Sequence, residues 1–151
     1  TRAGFELRTN GGTRLENCTT IGTERAYWVG DNAVIKKSRG DANYGPLLFV
    51  EGSNVEVELE VLPDESDRIV HSLATIQGSN NKVRLTAKKD RKQELPVLVG
   101  YTHPQHGESM SPYSQAPAVN LQLDNQTAMP VIVGKQAVDP EIKSVGKVVQ
   151  E

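Results

Sequence analysis

A short motif that recurs along the chain is the feature that most constrains its fold. Each copy joins a short apolar strand to a Gly/Asn corner and then to a second strand, as in GSNVEVELEV from Gly52 and GSNNKVRLTA from Gly78. Asparagines mark successive corners at intervals of 22, 22 and 26 residues: Asn10, Asn32, Asn54 and Asn80. Because one such unit is too small to close a core alone, this period predicts a stacked solenoid in which neighbouring units share a core.

The corner residues fit this geometry. Glycine and asparagine tolerate the positive φ that a sharp change of chain direction requires. Asparagines at equivalent corners of neighbouring coils could also share side-chain hydrogen bonds. Further along, LQLDNQTAMPVIVG carries Asp124 and Asn125 between two apolar strands, and we expect a further turn at these two residues after an insertion.

The strands themselves show a two-residue period. In VEVELEV apolar residues alternate with glutamates, which predicts a strand with one buried and one solvated face. The predicted inward residues are Val55, Val57, Leu59 and Val61, and, in KVRLTA, Val83, Leu85 and Ala87. The longest helical candidate, TAKKDRKQEL, is too polar to offer an apolar stripe and is expected to be a solvated loop.

Composition narrows the functional classes. The chain of 151 residues is expected to form one domain, and its formal net charge of −2 gives no reason to expect nucleic acid or an anionic membrane as partner. No apolar run approaches the roughly 20 residues that span a bilayer. The single cysteine, Cys18, excludes an internal disulfide and is expected to behave as a small buried apolar residue.

The units GSNVEVELEV, GSNNKVRLTA and GDNAVIKKS resemble the coils of right-handed parallel β-helices, the pectate-lyase-like superfamily. The resemblance covers roughly residues 5–87 and, more loosely, 121–144. It implies an all-β fold, a right-handed parallel β-helix with coils of about 22 to 26 residues. A β-sandwich or jelly roll built from hairpins is the alternative, since alternating strands with Gly/Asn turns serve both folds.

We expect residues 1–151 to form a single β-helical domain or a fragment of one. Regular coils are expected over 1–100, a lateral loop insertion over 101–120, and a final coil with a C-terminal tail over 121–151. Three of the eight prolines lie between His103 and Ala118. The first residues lead directly into a rung without a capping helix, so we expect the C-terminal coils of a longer β-helix, or neighbouring chains that cover the open end.

The resemblance implies work on polysaccharides. Members of the superfamily include lyases, hydrolases, epimerases and phage tailspikes, which present a long lateral face to an extended glycan. It also implies an extracellular or virion-associated protein, possible homotrimers, and no cofactor. The alternative hypothesis is a non-catalytic structural stem or assembly segment of a tail fibre or adhesin.

Carboxylates are the candidate catalytic groups, because glycoside hydrolysis needs an acid and a base about 5–9 Å apart. Stacking can align residues that lie one period apart, although a carboxylate at a corner is more often a turn former. The candidates are Asp31, Glu51 and Asp64.

Aromatic and imidazole side chains are the candidate substrate-binding groups, because sugar rings stack on aromatic faces. Tyr27 and Trp28 are adjacent in a strand, so one of them should point outward. The substrate-binding candidates are Tyr27, Trp28, Tyr44, Tyr101, His103 and His106.

Three polar segments are weighed against simpler interpretations. In HPQHGE, Pro104 interrupts the two histidines and no helix places them on one face, so no metal site is expected. PDESDR, residues 63–68, could hold calcium but lacks the glycine and spacing of an EF-hand loop. KKDRK, residues 88–92, could contact an anionic polysaccharide, whereas a solvated charged turn is the simpler interpretation.

Overall fold

The computed structural model describes residues 3–8, 12–63, 71–102 and 114–151, and these residues form strands and turns without a helix. Accordingly, they include no helix that could span a membrane. In chain order the strands are β1 (Ala3–Leu7), β2 (Arg14–Glu16), β3 (Thr19–Thr23), β4 (Arg25–Val29), β5 (Val34–Ala42), β6 (Leu48–Val50), β7 (Glu56–Val61), β8 (Ala74–Ile76), β9 (Gly78–Ser79), β10 (Lys82–Thr86), β11 (Val97–Val99), β12 (Ala118–Val119), β13 (Gln122–Asn125), β14 (Val131–Val133), β15 (Ala137–Val138), β16 (Glu141–Ser144) and β17 (Val148–Gln150).

The strands stack as three parallel sheets. Sheet A has the order β1-β4-β6-β8-β11-β14-β17, sheet B has the order β16-β13-β10-β7-β5-β2 with β3 also paired to β5, and sheet C has the order β15-β12-β9. The later turns run from sheet A through sheet C to sheet B. The result is a parallel β-solenoid of about six turns with roughly 22 residues per turn.

The strand pairing decides between the two predicted fold classes. Ala3 pairs with Arg25, 22 residues later, and every neighbouring pair of strands in the three sheets runs parallel. A sandwich of hairpins would require antiparallel neighbours. The all-β parallel solenoid is therefore confirmed. The longest interval in sheet A, from Val97 to Val131, contains the proline-rich segment.

The corners between sheets C and B form a ladder of left-handed residues. Their φ angles lie between 52° and 62°, and the residues are Asn32, Asn54, Asn80, Asn120 and Asp139. Each asparagine donates its backbone N–H to a carbonyl of the next turn, for example Asn80 to Val119 at 2.8 Å. Asn120 also donates its side-chain amide to Asn80 Oδ1 at 3.2 Å. The predicted corners at Asn32, Asn54 and Asn80 are confirmed, whereas Asn10 lies outside the described residues.

One predicted turn was placed wrongly. Asp124 and Asn125 end strand β13, and the left-handed corner before that strand is Asn120. Asn125 is fully buried, and its Nδ2 donates to Met129 O at 2.9 Å and to Ser144 Oγ at 3.0 Å. An inward-facing amide that bonds the last turns together therefore looked like a corner in the sequence.

The core lies inside the three sheets and consists of aliphatic rows. Val55, Val57, Leu59 and Val61 are each at most 2% exposed, as the alternation predicts. Val83 and Leu85 continue the rows in the next turn and are also buried, while Ala87, just beyond β10, packs against the core from the edge. Complete burial of one such side chain contributes about 1.5–3 kcal/mol, so the shared core is the main stabilising term.

Candidate functional site

The most open array of polar side chains lies on the outer face of sheet B. It covers β10, β13 and β16, and we call it the charged face: Lys82, Arg84, Gln122, Asp124, Glu141 and Lys143. Strand register stacks these side chains in two rows, Lys82 beside Gln122 beside Glu141, and Arg84 beside Asp124 beside Lys143. The rows have a spacing of about 4.8 Å between strands and about 7 Å along each strand.

The chain builds this face by repeating one local rule. In each of the last three turns, the two outward residues follow the corner residue by two and by four positions, as Lys82 and Arg84 follow Asn80. Between them stands an inward apolar residue, here Val83. Alternation along the strand therefore sends one set of side chains to the core and the other to the charged face.

The electrostatics of the charged face are mixed. Arg84 Nε lies 3.6 Å from Asp124 Oδ2, and Gln126 also donates to Asp124. Within the described part of the chain, Lys82, Glu141 and Lys143 form no ion pair. Three cations and two carboxylates leave the face slightly positive, with both donors and acceptors open to solvent.

The predicted catalytic carboxylates make structural contacts. Asp31 Oδ1 accepts a hydrogen bond from the backbone N–H of Ser53 at 2.8 Å, which is the role of a turn former. Glu51 Oε2 accepts a hydrogen bond from Trp28 Nε1 at 2.6 Å and lies 3.6 Å from Arg8 Nε. Asp64 lies outside the described residues. The two described carboxylates thus serve a corner and an aromatic cluster, respectively.

That cluster surrounds the single tryptophan on the outer face of sheet A. The guanidinium carbon of Arg8 lies 4.2 Å from the Trp28 ring centroid and that of Arg25 lies 5.6 Å away. The Phe49 ring packs at 5.7 Å with an interplanar angle of 41°. We call these residues and Glu51 the Trp28 cluster. Trp28 is half-buried and Tyr27 fully buried, so the predicted opposite orientation of the pair is confirmed. Because Arg8 covers one ring face, little of Trp28 is open to a sugar.

The tyrosines proposed for substrate binding differ in exposure. Tyr27 donates its hydroxyl to Cys18 O at 3.1 Å and to Arg39 O at 2.8 Å, and burial raises its pKa to about 12. Tyr101 is 2% exposed, and burial raises its pKa to about 12 as well. Tyr44 is 40% exposed. Among these three, only Tyr44 can reach a ligand in solution. His103 and His106 lie outside the described residues.

The charged turn KKDRK is only partly solvated. Lys88 is exposed and pairs with Glu60 at 3.7 Å, whereas the side chain of Arg91 is 1% exposed and pairs with Asp41 at 2.8 Å. The acidic segment considered for calcium lies outside the described residues from Asp64 onward. In the described ranges, no group of three or more His, Cys, Asp or Glu side chains could hold a metal ion.

A buried polar chain lies where β8 begins. His71 Nδ1 lies 2.6 Å from Ser72 Oγ, which lies 2.9 Å from Thr75 Oγ1. All three residues are at most 2% exposed. Burial, reinforced by the positive charge of Arg25, lowers the pKa of His71 from its ordinary 6.5 to about 4. A histidine and a serine this deep inside the protein cannot meet a polysaccharide, so we assign them a structural role.

His71 predicts a pH dependence of stability. Between pH 6.5 and pH 4 the unfolded chain binds a proton at His71 that the folded chain excludes, so stability falls as pH falls through this window. The full difference is up to about 3 kcal/mol. We expect urea unfolding of the wild type to lose this increment between pH 7 and pH 4 relative to His71→Gln. Parallel pH profiles for the two proteins would contradict the assignment.

The sequence alone did not single out the charged face. Its residues belong to three segments, and the step from Lys82 to its partner Gln122 spans 40 residues. The usable signal was the corner: alignment on Asn80, Asn120 and Asp139 places the polar pairs in register, whereas alignment on Asn125 does not. In comparisons with known proteins, no family model matches this chain, and no curated protein or solved structure is significantly similar to it.

Proposed function

We propose that this solenoid binds an extended polysaccharide along the charged face, without cleaving it. The observation that carries the proposal is the open, two-row array over β10, β13 and β16. Its side chains alternate cation, amide and carboxylate at a regular spacing, which suits the repeating hydroxyl and acid groups of a glycan. The likeness of the repeated units to pectate-lyase-like coils supports the same ligand class.

Binding without cleavage is the form of the proposal that the carboxylates favour. Asp31 is held by the Ser53 backbone and Glu51 by Trp28 and Arg8. On the charged face, Asp124 is paired with Arg84, which leaves Glu141 as the one carboxylate there that forms no ion pair with the described residues. General acid–base hydrolysis uses two carboxylates with separate roles, so a binding function requires less of this face than catalysis does.

The test is a panel of neutral and anionic polysaccharides, followed by binding, by new reducing ends and by the ultraviolet absorbance of unsaturated products. We expect binding to one glycan class and no product. The double variant Lys82→Ala/Gln122→Ala should weaken binding at least about tenfold, because it removes one charged and one neutral hydrogen-bonding group. The matched control is Lys89→Ala/Gln136→Ala, which removes the same residue types from exposed positions outside the face.

The single tryptophan separates the two outer faces. Trp28 is the only source of indole fluorescence and lies on sheet A. Binding at the charged face should leave its emission unchanged. A shift in emission that persists in the Lys82→Ala/Gln122→Ala variant would place the ligand at the Trp28 cluster and contradict the proposal, as would product formation.

A structural stem is the second candidate, and the last turn favours it. Four valines there are between 42% and 66% exposed: Val138, Val145, Val148 and Val149. Apolar exposure of this kind is typical of a surface that meets another protein. If no glycan in the panel binds, the stem becomes the better account.

A further inference from the structure

The last turn of the solenoid presents an open strand edge. Strands β15, β16 and β17 each pair on one side only within the described residues. Val148 occupies the inward row that Val131 fills in the preceding turn, yet it is 49% exposed, whereas Val131 is fully buried. An uncovered edge with apolar side chains is a template for strand pairing.

The backbone of β16 shows which groups are available. Glu141 donates its N–H to Leu121 O at 2.8 Å, and Val145 donates to Asn125 O at 2.9 Å, both toward β13. Because successive residues of a strand point their N–H and C=O groups in opposite directions, those of Ile142 face the open edge. Two copies of Ile142 facing each other can therefore exchange two hydrogen bonds, as in a hydrogen-bonded antiparallel pair.

The side chains around Ile142 are self-complementary. In antiparallel pairing centred on Ile142, Glu141 of one copy stands opposite Lys143 of the other, and the same contact repeats by symmetry. Both side chains are exposed and, in the described part of the chain, without an ion-pair partner. Opposite charges directly across a strand pair are stabilising, whereas like charges are destabilising.

We propose that a second copy of this chain docks tail to tail on β16 through a two-fold axis at Ile142. The contact closes at the dimer because the same patch is used on both sides. The axis also brings sheet C of one copy over sheet A of the other, so Val138 covers Val148 of the partner copy. The interface uses the strand edge rather than the outer face and is independent of glycan binding.

The competing arrangement is head to tail, with β16 on β2 of the next copy. It would place Glu141 beside Arg14 and Lys143 beside Glu16, which is also charge-complementary. Such a contact leaves an open edge on every added copy and grows filaments instead of closing.

Charge reversal distinguishes the two arrangements by sedimentation. The wild type should sediment as a dimer of the 16.5 kDa chain. Glu141→Lys and Lys143→Glu should each weaken self-association at least about tenfold, because two attractive pairs become two repulsive ones. An equimolar mixture of the two variants should restore the dimer, since each then faces its complement.

Circular dichroism of each variant confirms that it is folded, a necessary control because residue 143 also neighbours Asp124. A monomeric wild type at every concentration, filaments, or a mixture that stays monomeric would each overturn the proposal.

Discussion

Replacement of Gly78 by alanine is expected to lower the free energy of unfolding by about 3–5 kcal/mol. Gly78 has a φ of 86°, and a Cβ at this position would collide with the carbonyl oxygen of Gly52 in the preceding turn. That oxygen also accepts the side-chain amide of Asn81 at 2.9 Å. The substitution therefore adds backbone strain, forces two corners apart and disturbs a buried hydrogen bond.

The matched control is Gly22→Ala. Gly22 has a φ of 82°, but an added Cβ would meet no atom within 4 Å. This variant should cost only the left-handed backbone strain, about 1–2 kcal/mol. Urea unfolding of both variants measures the difference, which is the cost of separating two stacked corners. Equal losses at the two positions would show that close approach at Gly78 contributes nothing.

The second large effect is expected at the ion pair of Arg91 with Asp41. The Arg91 side chain is 1% exposed and that of Asp41 15%, with Nη1 and Oδ1 2.8 Å apart. Arg91 Nη1 also donates to Leu62 O at 3.2 Å, so the loop after β10 is tied to two earlier turns. Arg91→Met should cost about 3–5 kcal/mol, because it leaves a poorly solvated carboxylate without its partner.

A double-mutant cycle tests that reason. Asp41→Asn combined with Arg91→Met should cost clearly less than the sum of the two single variants, since no charge is then left unpaired. The exposed pair of Lys88 with Glu60, in the same loop, is the control, and Lys88→Ala should cost less than about 1 kcal/mol. Additive losses in the cycle would contradict a coupled, buried pair.

The residues of the first regular turns show how far sequence reasoning reached. The alternation in VEVELEV placed Val55 to Val61 correctly, because burial on a strand follows a local two-residue period. Arg91 shows where it failed. A run of five charged residues suggested a solvated turn, and nothing local indicates that one of them would lie against Asp41, 50 residues earlier.

The candidate site divides in the same way. Trp28 was recognised as a residue whose neighbour must face the other way, but the arginines that cover it come from neighbouring strands and segments. The charged face was not recognised, because its rows form only when β13 stacks on β10 across an interval that contains the proline-rich segment.

The sequence by itself determined the solenoid: its period, its strand faces and the corners at Asn32, Asn54 and Asn80. These are properties of local backbone chemistry, since few residues other than glycine and asparagine tolerate left-handed corners and alternation fixes which side chains enter the core. The tertiary structure alone decided which segments become neighbours. Corner residue Asn120, the charged face and the self-complementary edge at Ile142 all depend on strand register, and register is settled by packing across turns of unequal length.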